Sequence, residues 1–212
     1  MIELGLKVTL AYLIGSVLGS LVVGYVKGGV DIRKLGSGNA GGTNALRTQG
    51  KAFAFWVLVI DVGKGILAAA WIPGLAIPGI GIDSAVPREL VLYGTALAAI
   101  VGHVFPVWFG FRGGKGGATA AGLLVYLDPA LGAFVIACWI GVILLTGFVG
   151  LATMSSAVAA AALIGFTRLS EEPGFFWFAV LVAALIVYTH RGNIRRMVDR
   201  TEPRFGRAQS SK

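Results

Sequence analysis

Residues 129–167 run for 39 positions without an Asp, Glu, Lys or Arg. At about 1.5 Å per residue, a helix of that length is roughly twice as long as the ~30 Å hydrocarbon core of a bilayer is thick, so this stretch is long enough to cross twice. Further uncharged runs at 8–26, 65–82, 90–111 and 173–190 are each close to what one crossing needs. Charged residues make up 13% of the chain, about half the usual share in soluble domains. These runs lack the ten-residue apolar and polar alternation of a membrane β-barrel, and no long polar stretch is left to fold apart as an aqueous domain. The chain reads as an all-α integral membrane protein, one polytopic domain over 1–212 with 191–212 as a basic tail.

The pattern predicts spans at about 4–26, 52–72, 89–110, 117–127, 129–147, 149–167 and 174–190. That is about seven, with the fourth too short to cross as a simple helix and five or six as the alternative count. Glu3 ahead of Lys7 and the unbroken apolar run to Val26 mark the first as a retained span rather than a cleaved signal. Loops 27–51 and 111–116 and the tail hold 14 of the 18 basic residues, whereas the opposite loops are acidic on balance. The basic side is therefore expected to be cytoplasmic, with the N-terminus outside and the C-terminus inside. The lone Cys138 has no partner for an internal disulfide.

Glycine is the next anomaly, at 32 of 212 residues. Gly15, Ser16, Gly19 and Ser20 read as a small-residue packing face of the first span. The more informative glycines lie in the two basic loops. The segment 36–47 reads Gly-Ser-Gly-Asn-Ala-Gly-Gly-Thr-Asn-Ala-Leu-Arg. Backbone N–H groups at Gly38 and Gly41, side chains at Ser37, Asn39, Thr43 and Asn44, and the Arg47 fork together suit an anion. In the second loop Arg112, Gly113, Gly114, Lys115, Gly116 and Gly117 precede another apparent helix, whose N-terminus would add its own N–H groups. The spacing does not match a nucleotide P-loop, and no nearby carboxylate is placed to hold magnesium.

A third cluster, His190, Arg191, Gly192 and Asn193, ends the last span on the same side. On one helix His190 and Asn193, three apart, would share a face. Inside the second span Asp61 and Lys64 are also three apart, where unpaired charges are costly. They are expected to pair, in a supporting rather than a direct catalytic role. His103, three residues before Pro106, is placed to help satisfy a carbonyl freed by a kink.

The segment 36–47, Asp61 to Gly65, the Gly-His-Val-Phe-Pro of 102–106 with the Phe-Arg-Gly-Gly-Lys-Gly of 111–116, and His190 to Asn193 occur in order over nearly the whole chain. In this the sequence resembles the bacterial membrane acyl-phosphate:glycerol-3-phosphate acyltransferases, the PlsY family. Ala40 stands where that family often has proline, and Arg112 where lysine is usual. The resemblance implies transfer of a fatty acyl group from acyl phosphate to the sn-1 hydroxyl of glycerol 3-phosphate, releasing phosphate and lysophosphatidic acid. It places the active site on the cytoplasmic face of the bacterial inner membrane, with His190, Lys115, Arg47 and Asn193 as the catalytic set and the two loops holding phosphates.

The residues fit that demand, since both substrates carry phosphate and one carries a lipid chain. No His-x-x-x-x-Asp pair or Gly-x-Ser-x-Gly elbow is present, which argues against a covalent acyl-enzyme. The proton acceptor stays open between His190 and a substrate phosphate. No metal or cofactor is expected, because no His or Cys cluster has ligand spacing. Glycerol 3-phosphate, acyl phosphate and membrane lipid are the expected partners, nucleic acid is not, and the chain is expected to act as a monomer. A transporter of small phosphorylated anions is the rival reading, although no inverted repeat of the loops is visible; a structural lipid-binding protein leaves the three asparagines unexplained.

Overall fold

The computed structural model describes residues 1–206. Ten helices span α1 Ile2–Gly15, α2 Gly19–Val26, α3 Gly42–Gln49, α4 Lys51–Ala70, α5 Arg88–Val104, α6 Gly117–Leu127, α7 Pro129–Thr146, α8 Val149–Arg168, α9 Pro173–Thr189 and α10 Arg191–Val198. Among the described residues there is no strand, only an isolated bridge between Ile77 and Ile80. This is the architecture lipid demands, because each helix satisfies its own backbone. The chain divides into two compact units, residues 1–128 and 129 onward.

In the first unit α1 packs along α5 and α4 along α6. Gly15 and Gly102 set the closeness of the α1–α5 pair: a Cβ on Gly15 would strike the Ala99 carbonyl, and one on Gly102 would strike that of Tyr12. A seam of small buried residues, Ala11, Ala68, Ala98 and Ala99, continues the contact. At one end Lys7 donates to Glu3 (2.7 Å) and to the Pro73 carbonyl (2.7 Å), and Arg88 also grips Glu3 (2.9 Å), so two buried charges and a half-exposed one satisfy each other.

The first span departs from the expected continuous helix over 4–26. It breaks between α1 and α2 with a bend of 46°. A break within lipid leaves backbone groups that protein must satisfy, and α4 supplies the partners. Lys64 Nζ donates to the Val17 carbonyl (2.7 Å), and Asp61 Oδ1 accepts from the Gly19 N–H (3.1 Å). The two side chains, 2.9 Å apart, also neutralise each other.

In the second unit α8 packs against both α7 and α9. Its buried face is mainly small, with Ala152, Ala157, Ala160 and Ala161, and α9 presents Phe175, Phe178, Val182 and Ile186. Within the basic tail residues 191–198 form α10, bent 51° from α9. The chain then folds back, with the Phe205 N–H donating to the Gly147 carbonyl (2.7 Å) and the Arg204 guanidinium 5.1 Å from the centre of the Phe148 ring. The end of the expected tail, 207–212 with Arg207 and Lys212, lies outside the described residues.

Among the described residues four helices are long and apolar enough to cross a membrane, or up to six if each bent pair is one span. The 11 residues of α6 reach only about 16 Å, half of a hydrocarbon core.

The close approach of α1 and α5 is testable with two alanines. Gly102→Ala drives a methyl into the Tyr12 carbonyl and should destabilise by about 1–3 kcal/mol, lowering the melting temperature in detergent by several degrees. Gly94→Ala, on the same helix but meeting only side-chain methyls at ordinary contact distance, Val8 Cγ2 at 3.5 Å and Leu4 Cδ1 at 3.8 Å, should leave it unchanged or raise it. Equal melting temperatures would contradict the close-packing assignment.

Candidate active site

The first glycine-rich loop is built around one side chain. Asn44 is 1% exposed. Its Nδ2 donates to the carbonyls of Ile32 (2.9 Å), Leu35 (3.0 Å) and Asn39 (3.0 Å), while its Oδ1 accepts from the Ser37 N–H (3.0 Å). The loop wraps so tightly that Gly36, at φ +55°, has Asn44 Oδ1 where a Cβ would sit. A buried layer of Val23, Ile32, Ala45, Phe53 and Val57 seats the loop on α2 and α4. Asn44, counted among the substrate-contacting residues, therefore spends its amide on holding the loop. Ser37, Gly38 and Arg47 are exposed, with Asn39, Gly41 and Thr43 half-buried beside them. The leading N–H groups of α3 have no intrahelical acceptor by position.

The second loop closes on the end of α5. Gly113 N–H donates to the Val104 carbonyl (3.2 Å) and Gly114 N–H to that of His103 (3.0 Å). These two N–H groups, expected to face a phosphate, instead satisfy the carbonyls freed ahead of Pro106, the task expected of the His103 side chain. The ring turns the other way, placing Nδ1 2.8 Å from Lys64 Nζ and 3.4 Å from Asp61 Oδ1. An ammonium has no lone pair, so Nδ1 is the acceptor and the ring proton sits on Nε2. Nε2 lies directly under Gly114, where a Cβ would collide with it. Asp61, Lys64 and His103 thus hold both the break in the first span and the floor of the second loop. Above them Gly116, at φ +85°, caps α6, and Gly117, Ala118 and Thr119 have the leading N–H groups of that helix. Lys115 is half-buried and Arg112 exposed.

Arg33 bridges the two loops. Its Nη1 donates to the carbonyls of Phe109 (3.1 Å) and Arg112 (3.1 Å), while Asp31 takes Nε (3.0 Å) and Nη2 (2.9 Å). The Arg33 guanidinium holds the Asp31 carboxyl below its ordinary value. A depressed folded pKa means this contribution is fully present above the usual carboxylate range and is lost only as pH falls through the lowered value. Arg33 was legible in sequence only as a topology charge; the Asp-x-Arg spacing ahead of the glycines is the signal that was available.

In the second unit His190 links α9 to α10 rather than sharing one helix with Asn193; its carbonyl accepts from the N–H groups of Asn193 (2.8 Å) and Ile194 (3.0 Å). The His190 ring is 5% exposed, and its Nδ1 lies 2.7 Å from the Ile186 carbonyl. Nδ1 must carry the proton there, which leaves Nε2 as the basic nitrogen. Asn193 Nδ2 donates to Glu202 Oε1 (2.6 Å), and Arg196 Nε donates to Oε2 of the same carboxylate (2.7 Å). Glu202, nine residues beyond Asn193, was hidden inside a tail dominated by arginine. Among the described residues no group of three His, Cys, Asp or Glu side chains could hold a metal ion.

Glycine-rich loops carrying Arg47, Arg112 and Lys115 on a scaffold of apolar helices offer cationic side chains and backbone N–H groups of the kind that suit an anion. Residues 6–200 match the family described as glycerol-3-phosphate acyltransferase. The glycerol-3-phosphate acyltransferase of Aquifex aeolicus is 38% identical over 199 residues, 93% of this chain and 97% of its own. That of Chlorobaculum parvum is 40% identical over 225 residues, 94% of this chain and 96% of its own. The crystal structure of PlsY, an integral membrane glycerol 3-phosphate acyltransferase, in its glycerol 3-phosphate form superposes with a TM-score of 0.81 at 36% identity, covering 96% of each chain. Its lysophosphatidic acid form gives 0.80 at the same identity. The chain belongs to the glycerol-3-phosphate acyltransferase family: it is a membrane protein and an acyltransferase.

If Asn44 is the hub of the first loop, Asn44→Ala strands buried carbonyls at a cost of about 1–3 kcal/mol. Limited proteolysis should then cut within residues 32–47 of the variant but not of the parent, and equal resistance would refute the assignment.

Proposed function

We propose that this chain transfers a fatty acyl group from acyl phosphate to the sn-1 hydroxyl of glycerol 3-phosphate, the first acylation of phospholipid synthesis. The hydroxyl oxygen bonds to the acyl carbon, the bond from that carbon to the phosphate oxygen breaks, inorganic phosphate leaves, and lysophosphatidic acid remains. The observation that carries this reading is the pair of stitched glycine-rich loops with Arg47, Arg112 and Lys115, a surface suited to phosphate. That PlsY was crystallised in glycerol 3-phosphate and lysophosphatidic acid forms supports the same acceptor and product for this chain.

Arg47 and Lys115 take the phosphate charges and the charge that develops on the leaving group. Ser37, Gly38, Asn39, Gly41, Thr43, Arg112, Gly116 and Gly117 supply further hydrogen bonds, while Asp61, Lys64 and His103 support the loops. Acyl phosphate is already an activated mixed anhydride, so proximity and electrostatics suffice without a covalent enzyme intermediate or a cofactor. His190 Nε2 or a substrate phosphate receives the hydroxyl proton, and Asn193, fixed by Glu202, orients the acceptor. The whole chain works as one polytopic domain and as a monomer in the bacterial inner membrane. Its membrane segments, about seven, count each bent pair as one and include α6 as a short, irregular element, and the basic loops put the N-terminus outside and the site on the cytoplasmic face.

The purified protein should form lysophosphatidic acid from palmitoyl phosphate and glycerol 3-phosphate, and none from acyl carrier protein thioester; product from the thioester alone would overturn the donor assignment. Lys115→Ala and Arg47→Ala should each lower kcat/KM about ten- to a hundredfold, the worth of a charge-assisted contact of about 1.5–3 kcal/mol. Unchanged turnover in both, at wild-type melting temperature, would reduce these side chains to topology anchors.

A further inference from the structure

Arg33 lies outside the glycine-rich motifs, yet its Nη1 reaches across from the first loop to the backbone of the second. A guanidinium has five N–H groups, and at least four are spent here. Nε lies against both Asp31 oxygens (3.0 and 3.3 Å), Nη2 against Oδ2 (2.9 Å), and Nη1 bridges the carbonyls of Phe109 and Arg112. Such a saturated cation is a poor ligand for a passing phosphate and a good rivet. Asp31 is tied down in turn, since its Oδ1 also accepts the Arg33 backbone N–H (3.0 Å) and so caps the short 3-10 turn Ile32–Lys34.

The gripped carbonyls sit at informative places. Phe109 ends the turn after Pro106, and Arg112 immediately precedes the Gly-Gly-Lys-Gly-Gly run that carries Lys115. Between them Phe111 is held at φ +59°, a left-handed conformation that a bulky residue keeps only when its surroundings over-determine it. The Phe111 N–H on the Pro106 carbonyl (2.9 Å) fixes one side of this turn, and Arg33 fixes the other. On its own loop Arg33 lies four residues before Ser37, and a Cβ on Gly38 would sit 3.4 Å from the Arg33 carbonyl. One residue thus connects the backbone beside Ser37 and Gly38 to the backbone leading to Lys115.

We propose that Arg33, locked by Asp31, is a positioning residue that sets the spacing between the two phosphate-binding loops without touching either substrate. The inference rests on the acyltransferase reading above and goes beyond it. Two phosphorylated substrates must be held with hydroxyl and acyl carbon in near-attack geometry, and a misplacement of about 1 Å can cost a hundredfold in rate. Lysine is no replacement, because a point-like ammonium does not bridge two carbonyls while lying in the plane of a carboxylate.

The experiment compares wild type, Arg33→Ala, Arg33→Lys and Asp31→Asn in the same detergent, by steady-state kinetics with palmitoyl phosphate, melting temperature, and hydrogen–deuterium exchange over residues 31–47 and 105–116. Arg33→Ala and Arg33→Lys should lower kcat about a hundredfold, with a smaller change in either KM and a melting temperature near wild type. Exchange should rise in both loops, and added ethylguanidinium should restore part of the Arg33→Ala rate. Asp31→Asn, which loosens the arginine and leaves no cavity, should act in the same direction less strongly. A kcat within twofold of wild type, a loss that only follows the folded fraction and resists ethylguanidinium, or exchange confined to the first loop would overturn the proposal. A wild type inactive with acyl phosphate would defeat the donor reading instead, and the exchange data would still judge the clamp.

Discussion

The Lys64 ammonium is the point on which the first unit depends. It is buried within an apolar helix, where an uncompensated charge is untenable, and each of its contacts satisfies something else. It donates to the Val17 carbonyl left open by the break between α1 and α2, pairs with Asp61, and fixes the tautomer of His103. Asp61 completes the repair by accepting the Gly19 N–H. Such a pair is not by itself a large source of stability, because desolvation offsets the attraction. What distinguishes it is that irregular backbone at membrane depth is tolerated only where protein satisfies it. The same ring that receives the lysine then lies beneath Gly114, so the broken span and the second loop share one support.

Above this support the polar residues divide by task. Asn44, Arg33, Asp31, Gly113 and Gly114 direct their hydrogen bonds at the loops' own backbone. Ser37, Gly38, Arg47 and Arg112 are left on the surface, with Lys115 half-buried among the glycines. On the proposed function the site stabilises developing charge and must be rigid before substrate arrives, a rigidity the inward set is built to supply. In the second unit Glu202 plays the comparable part, holding Asn193 and Arg196 on the two oxygens of one carboxylate.

Much of this was legible from charge and glycine alone. Uncharged runs located the long apolar helices to within a few residues because in lipid the backbone has few alternatives to helix, and the shortness of α6 was visible as 11 residues between Gly116 and Asp128; the charged α3 and α10 lay in segments read as a loop and a tail. The break in the first span was not visible. Gly15, Ser16 and Gly19 read equally well as a packing face, and the side chains that stabilise the break come from more than 40 positions away. The split between inward and outward polar residues was hidden for a similar reason. Asn39 and Asn44 are the same residue type five positions apart, and only the wrapped loop shows that the second lies inside it. Arg33 and Glu202 escaped notice because a loop arginine reads as a topology charge and a lone glutamate in a basic tail reads as solvated.

The central claim, that Asp61 and Lys64 act together to hold the broken span, is tested most directly by a double-mutant cycle on unfolding free energy in detergent. Asp61→Leu and Lys64→Met should each cost about 3–5 kcal/mol, because each strands the other's charge in the interior. The double variant should cost clearly less than the two losses added together, while still unfolding more easily than wild type because Val17 and Gly19 lose their partners. Single losses below about 1 kcal/mol that simply add in the double variant would show that the pair is not what holds the structure.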